Sequence, residues 1–143
     1  MTFLKPAGLV LAALIFNPAI AIAESTSLTI SVTNLSPPTG TVEVTLFNSE
    51  EAFMKDPYRQ QSGKCGENGE YITEFTDLTS GEYAVVVVHD ANDNGKLDSG
   101  FLGFGGESYG YSNISAPMFG RPDYEDVKIL TATEGNLVEI EVR

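Results

Sequence analysis

The stretch Tyr83-Ala84-Val85-Val86-Val87-Val88-His89-Asp90-Ala91-Asn92-Asp93-Asn94-Gly95-Lys96-Leu97-Asp98 carries both the fold and the chemistry. Its first six residues are apolar without polar alternation, which predicts a central strand covered on both faces. Immediately upstream, Leu78-Thr79-Ser80-Gly81-Glu82-Tyr83 has the L-x-x-G-x-Y spacing of a tyrosine corner. In that device the Tyr hydroxyl bonds a backbone group a few residues upstream and pins a crossover between two sheets. A plain hairpin with a core tyrosine is the other reading, and the neighbouring strands favour the corner.

Those neighbours are read from period-two alternation. Leu28, Ile30 and Val32 alternate with Thr29, Ser31 and Thr33. Pro37-Pro38-Thr39-Gly40 forms a turn, and Val42, Val44 and Leu46 follow as the expected hairpin partner. Asn48 is placed to cap a short helix with Glu51 as its reciprocal partner. Ala52, Phe53 and Met54 would tuck that helix against the sheet, and Pro57 would end it. Residues 58–69 read as a polar loop. Tyr71, Thr73 and Phe75 begin a further strand; Val127 and Ile129 make another; Val138, Ile140 and Val142 close the chain. This gives six strands, with room for a seventh in the long connection after Asp90. The fold class is all-β, an antiparallel Greek-key β-sandwich of immunoglobulin-like or transthyretin-like type with one long Gly- and aromatic-rich loop.

At the N-terminus, residues 1–23 have the form of a secretory signal peptide. Lys5 is followed by the apolar run Gly8 to Phe16, then Asn17-Pro18, then the small-x-small site Ala21-Ile22-Ala23. Cleavage before Glu24 leaves a single domain, 24–143, located in the periplasm or secreted, with no stable membrane insertion. It takes the net charge from −12 to −13, because Lys5 is the one charged side chain removed. So acidic a surface repels phosphate backbones and anionic headgroups, which excludes nucleic acid as a partner and favours hard cations. Cys65 is the single cysteine, so no disulfide forms within the chain. With no second Cys and no His nearby, it reads as a loop thiol.

The connection from Asp90 to about Asp123 is too long to be an ordinary loop of a compact domain. It carries seven of the chain's 14 glycines and therefore loses much entropy on ordering. Phe101, Phe104, Tyr109 and Tyr111 make it too apolar for a solvated tail. A cation would fasten it. Asp90, Asn92 and Asn94 followed by Gly95 match the D-x-[DN]-x-[DN]-G opening of a calcium loop. The Lys96 carbonyl and Asp98 fall at the next two ligand positions, while the position normally held by a bidentate Glu is Phe101. The missing carboxylate is assigned to Glu107, which Gly105-Gly106 allows to return; Asp93 is expected to face water. Calcium with few carboxylates binds weakly, on the order of 0.1–1 mM in extracellular modules. The competing reading is an ion-free network of Asx turns, which Asn/Asp/Gly strings form unaided. His89 is expected to be a hydrogen-bonded structural group.

The combined string resembles the signature of an uncharacterised bacterial exported family, domain of unknown function 2141. The residues that carry the resemblance are Tyr83-Ala84-Val85, His89-Asp90, Asn92, Asn94 through Asp98, Gly103, Glu107 through Asn113, Pro122 and Tyr124-Glu125-Asp126. The chain departs from the pattern in Ser108, where a Gly is usual, and Tyr111, where a Phe is usual. The resemblance implies a small β domain outside the cytoplasm and no assigned reaction. The expected function is a structural or binding module fastened by Ca2+, not an enzyme, with a protein or glycan partner. The alternatives are an ion-free surface recognising a glycan or peptide, or a glycoside hydrolase using Asp98 and Glu107.

Overall fold

The strand Gly81–Asp90 (β5) runs through the middle of the molecule. On one side it pairs antiparallel with Thr41–Phe47 (β2), which pairs in turn with Arg59–Lys64 (β3). Along its other side lie two short strands end to end: Ser108–Tyr111 (β6) against Val86 to His89, and Ile129–Thr131 (β7) against Gly81 to Tyr83. The second sheet is Tyr71–Thr79 (β4), Ser25–Thr33 (β1) and Asn136–Glu141 (β8), in the order β4-β1-β8, with β1 antiparallel to β4 and parallel to β8. This computed structural model describes residues 25–95, 106–115, 117, 120–132 and 135–143. The expected signal peptide, 1–23, lies outside the described residues, as do Lys96, Asp98, Phe101 and Phe104.

Two apolar clusters hold the layers together. Leu28, Ile30, Val32, Phe75, Leu78 and Ile140 from one sheet meet Val42, Val44, Leu46, Tyr83, Val85 and Val87 from the other. Each such side chain fully buried contributes about 1.5–3 kcal/mol, so this shared interior is what makes the two sheets a sandwich. The second cluster lies on the far face of β5, where Phe47, Phe53, Ala84, Val86 and Tyr111 pack with Tyr124 and Val127. The last two belong to the one-turn helix Tyr124–Val127 (α1). The unalternating run Ala84 to Val87 is therefore buried on both faces, as its composition predicts.

Ser112 explains why β6 and β7 share one edge of β5. Its backbone N–H donates to Val85 O at 3.0 Å, its hydroxyl accepts from Val85 N–H at 2.9 Å, and the same hydroxyl donates to Val127 O at 2.6 Å. A side chain thus replaces the ladder where the chain leaves the sheet to make α1. At the corner from β4 to β5, the Tyr83 hydroxyl donates to Thr79 O at 2.7 Å, which is the expected tyrosine corner.

Four local expectations are corrected. β1 and β2 are not a hairpin; β1 pairs β4 and β8, and the 34–40 link carries the chain to the other sheet. Their apolar residues face one another across the interior, which alternation alone does not distinguish from pairing side by side. Residues 48–56 form successive turns and no helix; the capping hydroxyl is that of Ser49, which accepts from Ala52 N–H at 3.3 Å. Phe53 is buried there, and Met54 is exposed. The polar stretch 58–69 contains β3, an edge strand held by its ladder to β2. Its Arg59 stacks over Phe75 at 5.7 Å, and Gln61 bonds Glu74 O and the Thr73 hydroxyl of β4. Finally, Val127 belongs to α1, and the strand begins at Ile129.

Candidate metal centre

Strand register builds the site. Lys64 pairs with Thr41 and Thr41 with Asp90, so these three lie in one row on the outer face of the larger sheet. His89 pairs with Ser108, and one further step of that antiparallel register sets Glu107 opposite Asp90. The next row is Ser62, Glu43, Val88 and Tyr109. Together these rows floor a cleft of about 570 Å3 lined by Thr41, Glu43, Ser62, Lys64, Asp90 and Glu107, with Asp93 and Gly95 at its end.

The turn after β5 is organised on the Asp90 carboxylate. Oδ1 accepts from Asn94 N–H at 3.2 Å, Oδ2 accepts from Gly95 N–H at 2.8 Å, and Asn92 Oδ1 also accepts from Asn94 N–H at 3.0 Å. Gly95 has φ +69°, the left-handed region that glycine enters without steric cost. The Gly95 N–H holds the Asp90 carboxyl below the ordinary Asp range, with the Asn94 N–H and the Glu107 carboxyl acting in the same direction. The oxygens of Glu107 are closed off from solvent. Two carboxyl groups set directly across a strand pair repel when both are charged.

Asp93 is exposed, as expected, and is also tied to the sheet. Its carboxylate pairs with Lys64 Nζ and with the Thr41 hydroxyl, both at 2.6 Å, and the Lys64 ammonium is the main cause that lowers its pKa. Lys64 is thereby committed to Asp93 and does not neutralise the Asp90–Glu107 pair. The sequence carries no signal for this contact, because β3 is polar throughout and reads as loop by composition.

His89 lies on the opposite, inner face of β5 and is 1% exposed. Its Nε2 lies 2.7 Å from Thr39 O; a carbonyl only accepts, so Nε2 carries the proton. This is the structural role expected of it. It borders a second cleft, of about 230 Å3, with Ser36, Pro37, Ala91, Asn92, Gly106, Glu107 and Ser108. Glu107 lines both clefts, whereas Asn92 lines only the smaller one.

Of the sequence-predicted ligands, then, Asp90 and Glu107 are brought together, Asn92 sits beside Glu107 on its other side, and Asn94 gives its backbone N–H to the turn. Lys96 and Asp98 lie outside the described residues. Among the described residues no group of three or more His, Cys, Asp and Glu side chains is clustered to hold a metal. Tyr111 is buried in the second cluster, and Tyr109 packs against it with its hydroxyl donating to Pro117 O at 2.9 Å. These two rings brace the connection and are not a free platform for a ligand.

Fold and cleft define a small two-sheet β domain with an acidic recess at the end of its central strand. The chain belongs to the family described as "Uncharacterized protein conserved in bacteria (DUF2141)", whose model matches residues 30–139. The comparisons with curated proteins and with solved structures gave no match.

Proposed function

We propose that the protein is an exported β-sandwich module, periplasmic or secreted, in which Ca2+ fastens the connection after β5 by bridging Asp90 and Glu107. One observation carries this reading: the two acids stand across β5 and β6 from each other, and the ammonium of Lys64, in the same row, is already paired with Asp93. A cation between the two carboxyl groups relieves the repulsion. The Asp90 oxygens each hold one N–H bond, and a carboxylate has about four lone-pair sites, so donor capacity remains. Asn92 and, from the sequence pattern, Asn94, the Lys96 carbonyl and Asp98 would complete an all-oxygen shell of the kind calcium takes. The module serves a structural or binding role toward a protein or glycan partner, and we assign it no reaction. Export is supported by the form of residues 1–23.

A second reading is favoured by the completeness of the turn itself. Two N–H bonds already satisfy the Asp90 carboxylate, so the turn holds without an ion and the open cleft recognises a glycan or peptide directly. Thermal melts in millimolar calcium and in chelator decide between them. At 100 times the dissociation constant, an ion bound only by the folded form stabilises by about 2.7 kcal/mol. The shift should vanish in Glu107→Gln. No shift in the wild type leaves the ion-free surface.

A further inference from the structure

The outer face of the smaller sheet takes no part in the cleft. β1 lies at its centre; Leu28, Ile30 and Val32 point inward and are fully buried, whereas Thr29 and Ser31 between them are half-buried on the outer side. Strand register sets what flanks them. Thr29 lies between Glu74 of β4 and Leu137 of β8, and Ser31 lies between Ile72 of β4 and Glu139 of β8. Ile72 and Leu137 are 65% and 64% exposed, although both are large and apolar. No Lys, Arg or His occurs in β1, β4 or β8, and neither Glu74 nor Glu139 joins an ion pair among the described residues. Each row thus has a carboxylate at one end, an apolar side chain at the other and a short hydroxyl between. The two ends are exchanged from one row to the next. Two strand spacings make each row about 10 Å long, and the rows lie about 7 Å apart.

We propose that this face docks an extended segment of a partner protein with the order apolar-basic-basic-apolar. Such a segment lies along β1, over the short hydroxyls, with its side chains leaning alternately toward β4 and β8. An extended chain advances about 3.4 Å per residue, so four residues pass both rows. The first covers Leu137, the second reaches Glu74, the third reaches Glu139 and the fourth covers Ile72. Because the rows exchange their ends, the same order fits with the segment running either way. Lysine or arginine suits the middle positions, since the carbon stem rests on Thr29 or Ser31 while the charged head meets the carboxylate. Charge also decides against a second copy of this chain as the occupant. The three strands hold the acids Glu74, Asp77, Glu139 and Glu141 and no cation, so acids would meet acids across that contact. The face belongs to the sheet opposite the cleft, so the inference does not depend on calcium.

The probe is a fluorescein-labelled peptide, Ser-Thr-Leu-Lys-Lys-Leu-Thr-Ser, followed by anisotropy in chelator. An ionic strength of about 0.15 M screens attraction to the acidic surface at large. Binding should be saturable. Glu74→Gln combined with Glu139→Gln should weaken it about tenfold, the loss expected of two exposed ion pairs. Ile72→Thr combined with Leu137→Thr should weaken it about fivefold through lost apolar contact. Glu50→Gln combined with Glu51→Gln removes the same charge from exposed positions after β2 and should change affinity by less than about twofold. The peptide reordered as Ser-Thr-Lys-Leu-Leu-Lys-Thr-Ser should bind more weakly than the original. All six substituted side chains are exposed, so the variants keep the fold. No saturable binding, equal loss in the Glu50 and Glu51 control, equal affinity for the reordered peptide, or indifference to the Ile72 and Leu137 changes each overturns the proposal. So does a dimer, seen by sedimentation without peptide, that the Ile72 and Leu137 changes dissolve, since a second copy would then occupy the face.

Discussion

The Tyr83 hydroxyl donates to the Thr79 carbonyl at 2.7 Å, closing the corner where the chain passes from one sheet to the other. Burial raises the Tyr83 pKa, so the phenol stays protonated as the donor. Tyr83→Phe keeps the ring in the core and removes only this bond. A net loss of about 1 kcal/mol is expected. It should be read as a lower urea midpoint with an unchanged slope, because the surface exposed on unfolding stays the same.

Ser112 is a harsher site. It is fully buried, and its hydroxyl serves Val85 N–H and Val127 O at once. Ser112→Ala leaves a donor and an acceptor stranded where water does not reach. The expected loss is about 2 kcal/mol or more. Amide exchange should accelerate first around Val85 and across β7, since the bridge between the two edge strands is what has gone. Uniform acceleration over both sheets would mean that Ser112 does not join them.

Much of this was legible from residue pattern, and the failures share a cause. The run from Ala84 to Val87 announced its own burial, because no alternation means no solvent face; Val88, at its end, is half-buried at the cleft. Leu78, Gly81 and Tyr83 announced the corner because that device is local in sequence. β3 was illegible: Arg59, Gln60, Gln61 and Ser62 carry no apolar signal, and the ladder to β2 that holds them is a property of the backbone. The hairpin expected of β1 and β2 failed because alternation marks an inner face without saying which strand lies beside it. The same limit explains the mixed result at the site. Glu107 was reached from Gly105-Gly106 and the missing ligand, and the register of β5 with β6 does set it opposite Asp90. The Asp93–Lys64 pair depended on β3 and was missed with it.

The Asp90 turn should loosen in acid. Its folded pKa lies below the ordinary Asp value of 3.8, chiefly because of the Gly95 N–H. The ionised form is therefore favoured by folding. The stability it contributes is fully present above 3.8 and is lost as pH falls through the lower folded value. Asp93 shifts in the same direction because of Lys64, so the two must be separated. Stability measured against pH in Asp90→Asn and in Asp93→Asn does this. Each variant should flatten part of the acid slope, and added salt should erase the share of Asp93, an exposed ion pair, more than that of Asp90. An acid slope unchanged in Asp90→Asn would show that the carboxylate does not anchor the turn.

Two glycines of that region separate backbone strain from steric conflict. Gly40 has φ +83°, and a Cβ there would lie 2.0 Å from Asp90 O and 2.6 Å from Ala91 Cα. Gly95 has φ +69° and nothing within 4 Å of its Cβ position among the described residues. Gly95→Ala should therefore cost only the left-handed backbone, about 1 kcal/mol. Gly40→Ala adds overpacking against backbone that cannot rotate away, for about 2–4 kcal/mol altogether. The damage should also spread. Gly40 sits between Thr39, which holds His89 Nε2 and Ala91 O, and Thr41, which holds Asp93. Forcing β5 away from Gly40 strains all three contacts. If Asp90 and Glu107 hold calcium, Gly40→Ala should weaken the calcium-induced rise in melting temperature more than Gly95→Ala does. Equal stability loss in the two variants would mean that the β5 end yields freely, and the close approach of Gly40 to Asp90 would then have no part in positioning the site.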